Sequence, residues 1–255
     1  MKSIWITALS KDQSIVQQLM QLAANYGLEG KGHFWEDDLK KMAWLPIKEK
    51  LKDKSIHLWV ILCTKEALTE EVRYGLTLLS LALQKERADL PVLVVDTSGK
   101  MNPEDLPGIF IDNTFVQDTG SSLGVKFAAM ANMPFKAKMH PYYLAFHANP
   151  GFGVWFEVGP GGGEAWNGVV FGINAGEIKA HGVGERGRIP EKCVLEYPIK
   201  GMKIESGNNE YTAWGIQNNL DDKFSYYIKV DGMATSLMYG QMPDEEQADL
   251  HLLRM

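Results

Sequence analysis

The sequence predicts two domains of different class, an α/β domain with a parallel sheet followed by an all-β domain with antiparallel sheets. Before Pro134, short apolar runs alternate with stretches whose apolar residues recur at helical spacing. After it, strand-like runs are separated by glycine-containing turns. The first order is typical of a parallel sheet covered by helices, and the second of an antiparallel sandwich or barrel. We place the domains at residues 1–134 and 141–255, each long enough to form its own core.

The first half predicts five strands and about five helices in alternation, a doubly wound, flavodoxin-like layer. Ile56 to Cys63 is apolar almost throughout, which favours a strand buried on both faces at the sheet centre. Thr69 predicts the N-cap of a long helix, because its hydroxyl can accept a backbone hydrogen bond and Glu70 and Glu71 follow it. The other predicted strands lie at Ile4–Leu9, around His33–Trp35, at Leu90–Val95 and at Gly108–Ile111.

The second half predicts seven to nine short strands, with turn signals that include Ser206-Gly207 and Asp231-Gly232. The glycine-rich stretch from Gly159 to Glu164 predicts a hairpin connection, and the stretch from His181 to Arg188 a solvated loop. The predicted strands are Tyr142–His147, Val154–Val158, Val169–Ile173, Glu177–His181, Val194–Ile199, Tyr211–Gln217, Phe224–Val230, Ser236–Tyr239 and Asp249–Leu253.

Composition limits the partners that the chain is expected to have. The formal net charge of −6 provides no basic surface for a phosphate backbone, so we expect no nucleic-acid partner. Cys63 and Cys193 lie in apolar runs without metal or disulfide spacing, which favours buried thiols in a reducing cytoplasm. No apolar run approaches the length that spans a bilayer, so we expect a cytoplasmic protein without membrane contact. The sequence indicates no metal site.

Several chemistries of flavodoxin-like layers lack their residues here. A phosphoacceptor receiver needs clustered carboxylates after the first strand and an aspartate after the third, to hold magnesium. This chain has Ser10 and Thr64 near those positions. No Walker or dinucleotide glycine fingerprint follows a strand, which argues against a bound nucleotide cofactor.

The stretch from Phe34 to Leu76 resembles the middle of a Toll/interleukin-1 receptor (TIR)-like domain. The similar features are the acidic run Phe34-Trp35-Glu36-Asp37-Asp38, a tryptophan at Trp44 before Ile47 and Leu51, the strand Ile56–Cys63 and the helix that opens at Thr69. In enzymatic members of that family, a glutamate in the helix after the third strand promotes cleavage of the nicotinamide–ribose bond of NAD. The resemblance implies the same fold over the first 130 residues or so, with NAD as a substrate rather than a cofactor.

The resemblance also implies a set of site residues. The family's glutamate would fall near Tyr74 or Gly75, one turn after this chain's carboxylates Glu70 and Glu71. Glu71 is the favoured catalytic candidate because it shares a helix face with Tyr74 and Gly75, where glycine leaves room for a ligand. The alternative is that Glu70 and Glu71 only complement the helix dipole. The predicted substrate-binding residues are Trp35, Asp37, Asp38, Tyr74 and Gly75.

Three functional hypotheses follow from these features. The first is a signalling or defence protein whose TIR-like domain cleaves NAD and whose β domain senses a signal or drives assembly. The second is a non-catalytic module in which the TIR-like domain self-associates and the β domain binds a ligand or protein. The third is a nucleoside or nucleotide N-glycosidase or transferase. The first two predict a homo-oligomer, and the first and third a nucleotide ligand.

Overall fold

The computed structural model describes residues 1–39, 41–117, 120–136, 140–149, 153–192, 194–243 and 249–255. The chain divides into two compact units, Met1–Ala137 and Lys138–Met255. The prediction for Cys193 lies outside the described residues. So do the central part of a further turn that Asn149-Pro150-Gly151 predicts and part of the segment that joins the predicted domains between Pro134 and Pro141. Within the described part of the chain, no helix has both the length and the apolar character needed to cross a bilayer.

The first unit is a parallel five-stranded sheet in the order β2-β1-β3-β4-β5, as the sequence predicts. β3 is central and seven of its eight residues are buried, which follows from its continuous apolar run. Two short 3₁₀ turns, Pro103–Asp105 and Gly108–Phe110, precede β5. The elements are β1 (Ser3–Ala8), α1 (Gln13–Asn25), β2 (Glu29–Phe34), α2 (Leu45–Leu51), β3 (Ile56–Cys63), α3 (Glu70–Arg87), β4 (Val92–Asp96), β5 (Thr114–Val116) and α4 (Ser121–Asn132).

The two faces of this sheet differ in the residues that cover them. On one face, Ile4, Ile6 and Val60 belong to an apolar cluster with residues of α1 and α4. Alternation along the strands places Trp5 and Trp59 on the other face, which α3 covers. There the Trp59 indole N–H donates to the Thr7 hydroxyl at 2.9 Å.

The fifth strand was predicted at the wrong place. Gly108–Ile111 was predicted to be a strand, but Gly108–Phe110 is a 3₁₀ turn and β5 begins at Thr114. Phe110 is buried, and its ring meets Trp59 edge-on with the ring centroids 5.8 Å apart. The apolar run Gly108–Ile111 suggested a strand because it contains Phe110, but Phe110 is apolar because it packs against the central strand.

The second unit consists of two antiparallel sheets, in the orders β6-β7-β12-β9 and β10-β11-β8-β13-β14. Phe156 of β7 stacks on Phe171 of β8 with the ring centroids 5.6 Å apart, so the sheets face each other as a sandwich. The strands are β6 (Tyr142–Asn149), β7 (Gly153–Pro160), β8 (Trp166–Ile173), β9 (Glu177–Glu185), β10 (Ile199–Ser206), β11 (Asn209–Leu220), β12 (Phe224–Asp231), β13 (Ser236–Gln241) and β14 (Leu250–Arg254).

Three local predictions in this unit were wrong. The stretch from Gly159 to Glu164 is not a hairpin, because β7 and β8 belong to different sheets and the chain crosses between them. The stretch from His181 to Glu185 is strand β9 rather than loop. The strand predicted at Val194–Ile199 instead begins at Ile199, after Tyr197 with φ of 43° and a proline.

Candidate active site

The carboxyl edge of the parallel sheet brings the loop after β2 close to the start of α3. The Trp35 N–H donates to the Ala8 carbonyl at 2.8 Å, which continues the pairing with β1 one residue past the end of β2. In open α/β sheets, ligands bind at this edge, where the strand order reverses. Most of the residues that the sequence proposed for a site therefore lie at the expected edge.

The start of α3 is fixed by the predicted cap. The Thr69 side chain accepts a hydrogen bond from the Val72 backbone N–H at 3.3 Å. The first helical residues are Glu70 and Glu71, both exposed. Capping thus sets the position of both carboxylates at the amino-terminal end of the helix, where its dipole favours negative charge.

Trp35 and Gly75 are in direct contact, although 39 residues separate them in sequence. Trp35 is buried, and a Cβ atom on Gly75 would lie 2.7 Å from Cζ2 of its ring. The space that the glycine leaves is therefore occupied by the indole rather than by a ligand. This contact anchors the chain just before Asp37 against the face of α3 that carries Glu71.

Asp37 and Glu71 interact electrostatically across this anchor. Partial burial and then the negative charge of Glu71 raise the pKa of the Asp37 carboxyl above its ordinary value of 3.8. Glu71, not Glu70, is the carboxylate that acts on Asp37. A carboxyl whose pKa is raised by a neighbouring carboxylate is typical of sites that transfer protons or stabilise developing positive charge.

The other two predicted binding residues have different surroundings. Asp38 accepts a hydrogen bond from the Lys41 N–H at 3.0 Å and forms an ion pair with the Lys41 ammonium at 3.0 Å. It therefore stabilises its own loop. Tyr74 is buried, and burial raises the pKa of its phenol well above the ordinary value.

Three side chains at or next to the Trp35–Gly75 contact have a buried polar atom without a hydrogen-bond partner in the described part of the chain. Within the part of the chain that the structure describes, the Trp35 indole N–H, the Tyr74 hydroxyl and Nε2 of His33 are buried without a hydrogen-bond partner. His33 accepts from the Trp5 indole at 3.1 Å through Nδ1, so its Nε2 carries hydrogen. Burial lowers the pKa of His33 to about 4, which keeps the ring neutral. Such groups are uncommon in folded proteins.

The nearby thiol is not a nucleophile. Cys63 is buried at the end of β3, and its Sγ lies 3.6 Å from the Val95 carbonyl oxygen. Burial and then the charge of Asp96 raise the pKa of Cys63 to about 12, so it is a thiol at neutral pH. Among the described residues, no group of three or more His, Cys, Asp or Glu side chains could hold a metal ion.

Sequence reasoning missed a second polar cluster, in the β domain. Glu157 of β7 is fully buried, and its Oε2 lies 2.6 Å from Nε2 of His147 on β6. Its Oε1 accepts from the Gly187 N–H at 2.8 Å. The alternation in Val154-Trp155-Phe156-Glu157-Val158 indicates one covered and one wetter face of the strand, and it does not by itself show that Glu157 is buried. The available signal was the single charge within an apolar strand.

Arg186 has a structural role in the same region. One guanidinium nitrogen, Nη2, donates to the Pro160 carbonyl at 2.9 Å and to the Asp221 carbonyl at 3.2 Å. Its carbon lies 4.5 Å from the centroid of the Tyr143 ring. This arginine fixes the chain after β9 onto the sheet.

Comparison with known proteins does not assign this chain to a family. No family model matches this chain, and no curated protein matches it. The resemblance to TIR-like domains therefore stays a prediction, and the geometry at Asp37 and Glu71 has to be interpreted by its own chemistry.

Proposed function

We propose that the α/β domain cleaves the nicotinamide–ribose bond of NAD, as the TIR-like resemblance of its sequence implies. The observation that carries the proposal is the interaction of Asp37 with Glu71, two carboxyls from distant segments that meet at the carboxyl edge of the sheet. A signalling or defence role and self-association belong to the same proposal, because both come from the resemblance alone.

The chemistry assigns a different role to each carboxyl. As the C1′–N bond breaks, its electron pair goes to the pyridinium nitrogen and neutral nicotinamide leaves. Glu71, as a carboxylate, stabilises the positive charge that develops on the ribose. Water then attacks C1′ and loses a proton to Asp37, whose raised pKa makes it the better proton acceptor. The products are nicotinamide, ADP-ribose and a proton.

Trp35 and Gly75 act as positioning residues in this scheme. Trp35 is 7% exposed, and its ring edge lies against α3 at Gly75. It therefore holds the segment that carries Asp37 next to the helix that carries Glu71. Holding two charged groups in fixed geometry is the main means by which a site stabilises a charged transition state. Glu70 lacks such a link to Asp37, and its contribution is expected to be smaller.

The test is nicotinamide release from NAD by the purified chain, measured alone and under crowding conditions that favour assembly. Glu71→Gln keeps the shape and removes the charge, and is expected to lower the rate about a hundredfold or more. Its thermal stability should change little. Glu49→Gln, at an exposed carboxylate on α2 that pairs with Lys52, is the matched control.

The alternatives give different results in the same assay. If nicotinamide release is undetectable in every assembly state, the non-catalytic self-association module replaces the enzyme. If nucleosides or other nucleotides are cleaved faster than NAD, the domain is an N-glycosidase or transferase of wider specificity. If Glu71→Gln lowers stability but not rate, Glu71 only complements the helix dipole.

A further inference from the structure

The amino edge of the parallel sheet, opposite the edge of the candidate active site, contains a cleft of about 290 Å³. The segments that precede β1 and β3 lie side by side there, because the Ser3 N–H donates to the Ser55 carbonyl at 3.0 Å. The ends of α3 and α4 and the residues before β4 complete the lining. The volume is close to the lower limit of the range of about 300–1,000 Å³ that is usual for ligand pockets. The cleft therefore has room for a small ligand.

The charged groups of this cleft are three cations and one carboxylate. Lys2, Lys54 and Arg87 line it together with Asp89. With His57 counted as neutral, as in the chain total of −6, the lining carries a formal charge of +2. The carboxyl ends of α3 and α4 each contribute about half a negative charge, so the cleft stays positive. A positive cleft in a negatively charged chain is suited to an anion.

Arg87 is a buried and rigidly held donor on the wall of the cleft. Its Nη1 donates to the carbonyls of Leu51 and Asp53, both at 2.8 Å. Its Nη2 donates to the Ile56 carbonyl at 2.8 Å, and its Nε donates to the Asp89 carboxylate at 3.0 Å. A guanidinium has five N–H groups, so at least one of them has no partner among the described residues. A buried donor in this position indicates that an acceptor binds in the cleft.

The two lysines of the cleft also keep donors for a ligand. The Lys2 ammonium donates to the carbonyl of Ala131, in the last turn of α4, at 2.9 Å. The Lys54 ammonium lies 3.3 Å from the Asp89 carboxylate, which Arg87 shares. An ammonium group has three N–H groups, and these contacts use at most one on Lys2 and two on Lys54. Each lysine can therefore donate to one further acceptor.

The rest of the wall includes apolar side chains. Ile56, Pro91 and Met130 belong to the lining. Apolar walls with a small number of polar groups are typical of sites for organic ligands. The cleft is therefore suited to an anion that carries an organic part.

We propose that this cleft binds a phosphate monoester. The phosphate accepts hydrogen bonds from Lys2, Lys54 and Arg87, and the organic part of the ester contacts the apolar wall. Above its second pKa of about 6, the phosphate has two negative charges and three acceptor oxygens, which match the three cationic side chains. A carboxylate has one charge and two oxygens and would be bound more weakly. This site is separate from the carboxyl edge and does not depend on the function proposed there.

The first test is calorimetric titration of the full chain with ribose 5-phosphate at neutral pH. This probe has no nicotinamide–ribose bond, so the result does not depend on cleavage of NAD. Binding should be saturable with one site per chain. It should be tighter than the binding of inorganic phosphate, which lacks the organic part, and of ribonate, which has a carboxylate in place of the phosphate.

The second test changes the charge of the cleft in both directions. Lys54→Gln should weaken the binding of ribose 5-phosphate about tenfold. Lys85→Gln, at an exposed lysine of α3 outside the lining, removes the same charge and should bind as wild type. Asp89→Asn removes the only carboxylate of the lining and should tighten binding several-fold. Glu164→Gln, at an exposed carboxylate of the β domain, is its matched control.

Four results would overturn the proposal. The first is no saturable binding of ribose 5-phosphate at millimolar concentration. The second is equal binding by the Lys54→Gln and Lys85→Gln chains, and the third is weaker binding by Asp89→Asn. The fourth is binding of ribonate as tight as that of ribose 5-phosphate. The side chains of Lys54 and Asp89 are 70% and 56% exposed, so both variants should fold, and thermal unfolding checks this.

Discussion

The two domains place carboxylates in opposite environments, and the protonation of these groups differs accordingly. Asp37 is exposed, yet partial burial and the charge of Glu71 raise its pKa. Glu157 is fully buried, which alone would raise its pKa, yet hydrogen bonds from His147 and Gly187 lower it. Burial raises the pKa of both carboxyls, and the groups that face the oxygens decide whether the net shift is upward, as at Asp37, or downward, as at Glu157.

The same comparison distinguishes the Asp37–Glu71 pair, which has the properties of a reactive site, from Glu157, which has the properties of a structural anchor. Asp37 and Glu71 repel each other, and this repulsion is relieved when positive charge or a proton arrives between them. Each oxygen of Glu157 has a hydrogen-bond partner, so Glu157 holds His147 and the chain around Gly187 in place. Substitutions at the two sites should therefore change stability in opposite directions.

The largest effect is expected from Glu157→Ala. The change removes the two hydrogen bonds that His147 and Gly187 make to the buried carboxylate. Hydrogen bonds to a charged group are worth about 1.5–3 kcal/mol each, so the β domain should lose about 3–5 kcal/mol of stability. Denaturant unfolding followed by circular dichroism measures it. Residues 1–134 expressed alone should fold regardless. A loss below about 1 kcal/mol would contradict the anchoring role of Glu157.

The pH dependence of this loss has a definite sign. The folded pKa of Glu157 lies below its ordinary value of 4.5, so its stabilising contribution is complete above that value. The contribution disappears as the pH falls through the lower folded value. The difference in stability between wild type and Glu157→Ala should therefore be constant near neutral pH and should narrow in acid.

An intermediate effect is expected from Gly75→Ala. The added methyl would lie 2.7 Å from the buried Trp35 ring, and the resulting shift should cost about 1–3 kcal/mol despite the better helix propensity of alanine. Nicotinamide release should fall as well, because the shift moves Asp37 away from Glu71.

Gly124→Ala is the matched control for that change. A methyl there would meet the ring of Tyr26, which is 39% exposed and can rotate into solvent. Its α4 helix should keep or gain stability. Equal losses at both glycines in thermal unfolding would show that the Trp35 contact is not what distinguishes Gly75.

The smallest effect is a gain in stability from Asp37→Asn. Removing one of two repelling charges at an exposed site should stabilise the α/β domain by about 0.3 kcal/mol at pH 7. Because the folded pKa of Asp37 is raised above 3.8, the gain should vanish at pH values below 3.8, where the Asp37 carboxyl is protonated in both the folded and the unfolded state and is as neutral as asparagine. A loss at pH 7 would show that Asp37 makes a stabilising contact.

Local patterns in the sequence predicted most of the α/β domain. The apolar run of β3 and the Thr69 cap are both written in consecutive residues, and both predictions are confirmed. The fifth strand was misplaced because Phe110 packs against Trp59, a contact between residues far apart in sequence. Periodicity carries no information about such contacts.

The geometry of the sites likewise depends on contacts between residues far apart in sequence. Trp35, Asp37, Glu71 and Gly75 were selected as separate candidates, but the packing of the indole against the glycine is a tertiary contact. The His147–Glu157 pair depends on the register of β6 against β7 and on the position of Gly187, which is distant in sequence. The glycines of β9 predict a loop by their local pattern, although Gly184 lies within the strand and leaves room for Pro190.

The contact between Trp35 and Gly75 also constrains how this chain can diverge. Neither residue can change size alone without a clash or a void in the layer between the sheet and α3. A smaller side chain at position 35 would permit a larger one at position 75, and the reverse order of substitution would pass through a strained intermediate. Related sequences should therefore vary positions 35 and 75 together, and the substitution to a smaller side chain at position 35 should occur before the substitution to a larger one at position 75.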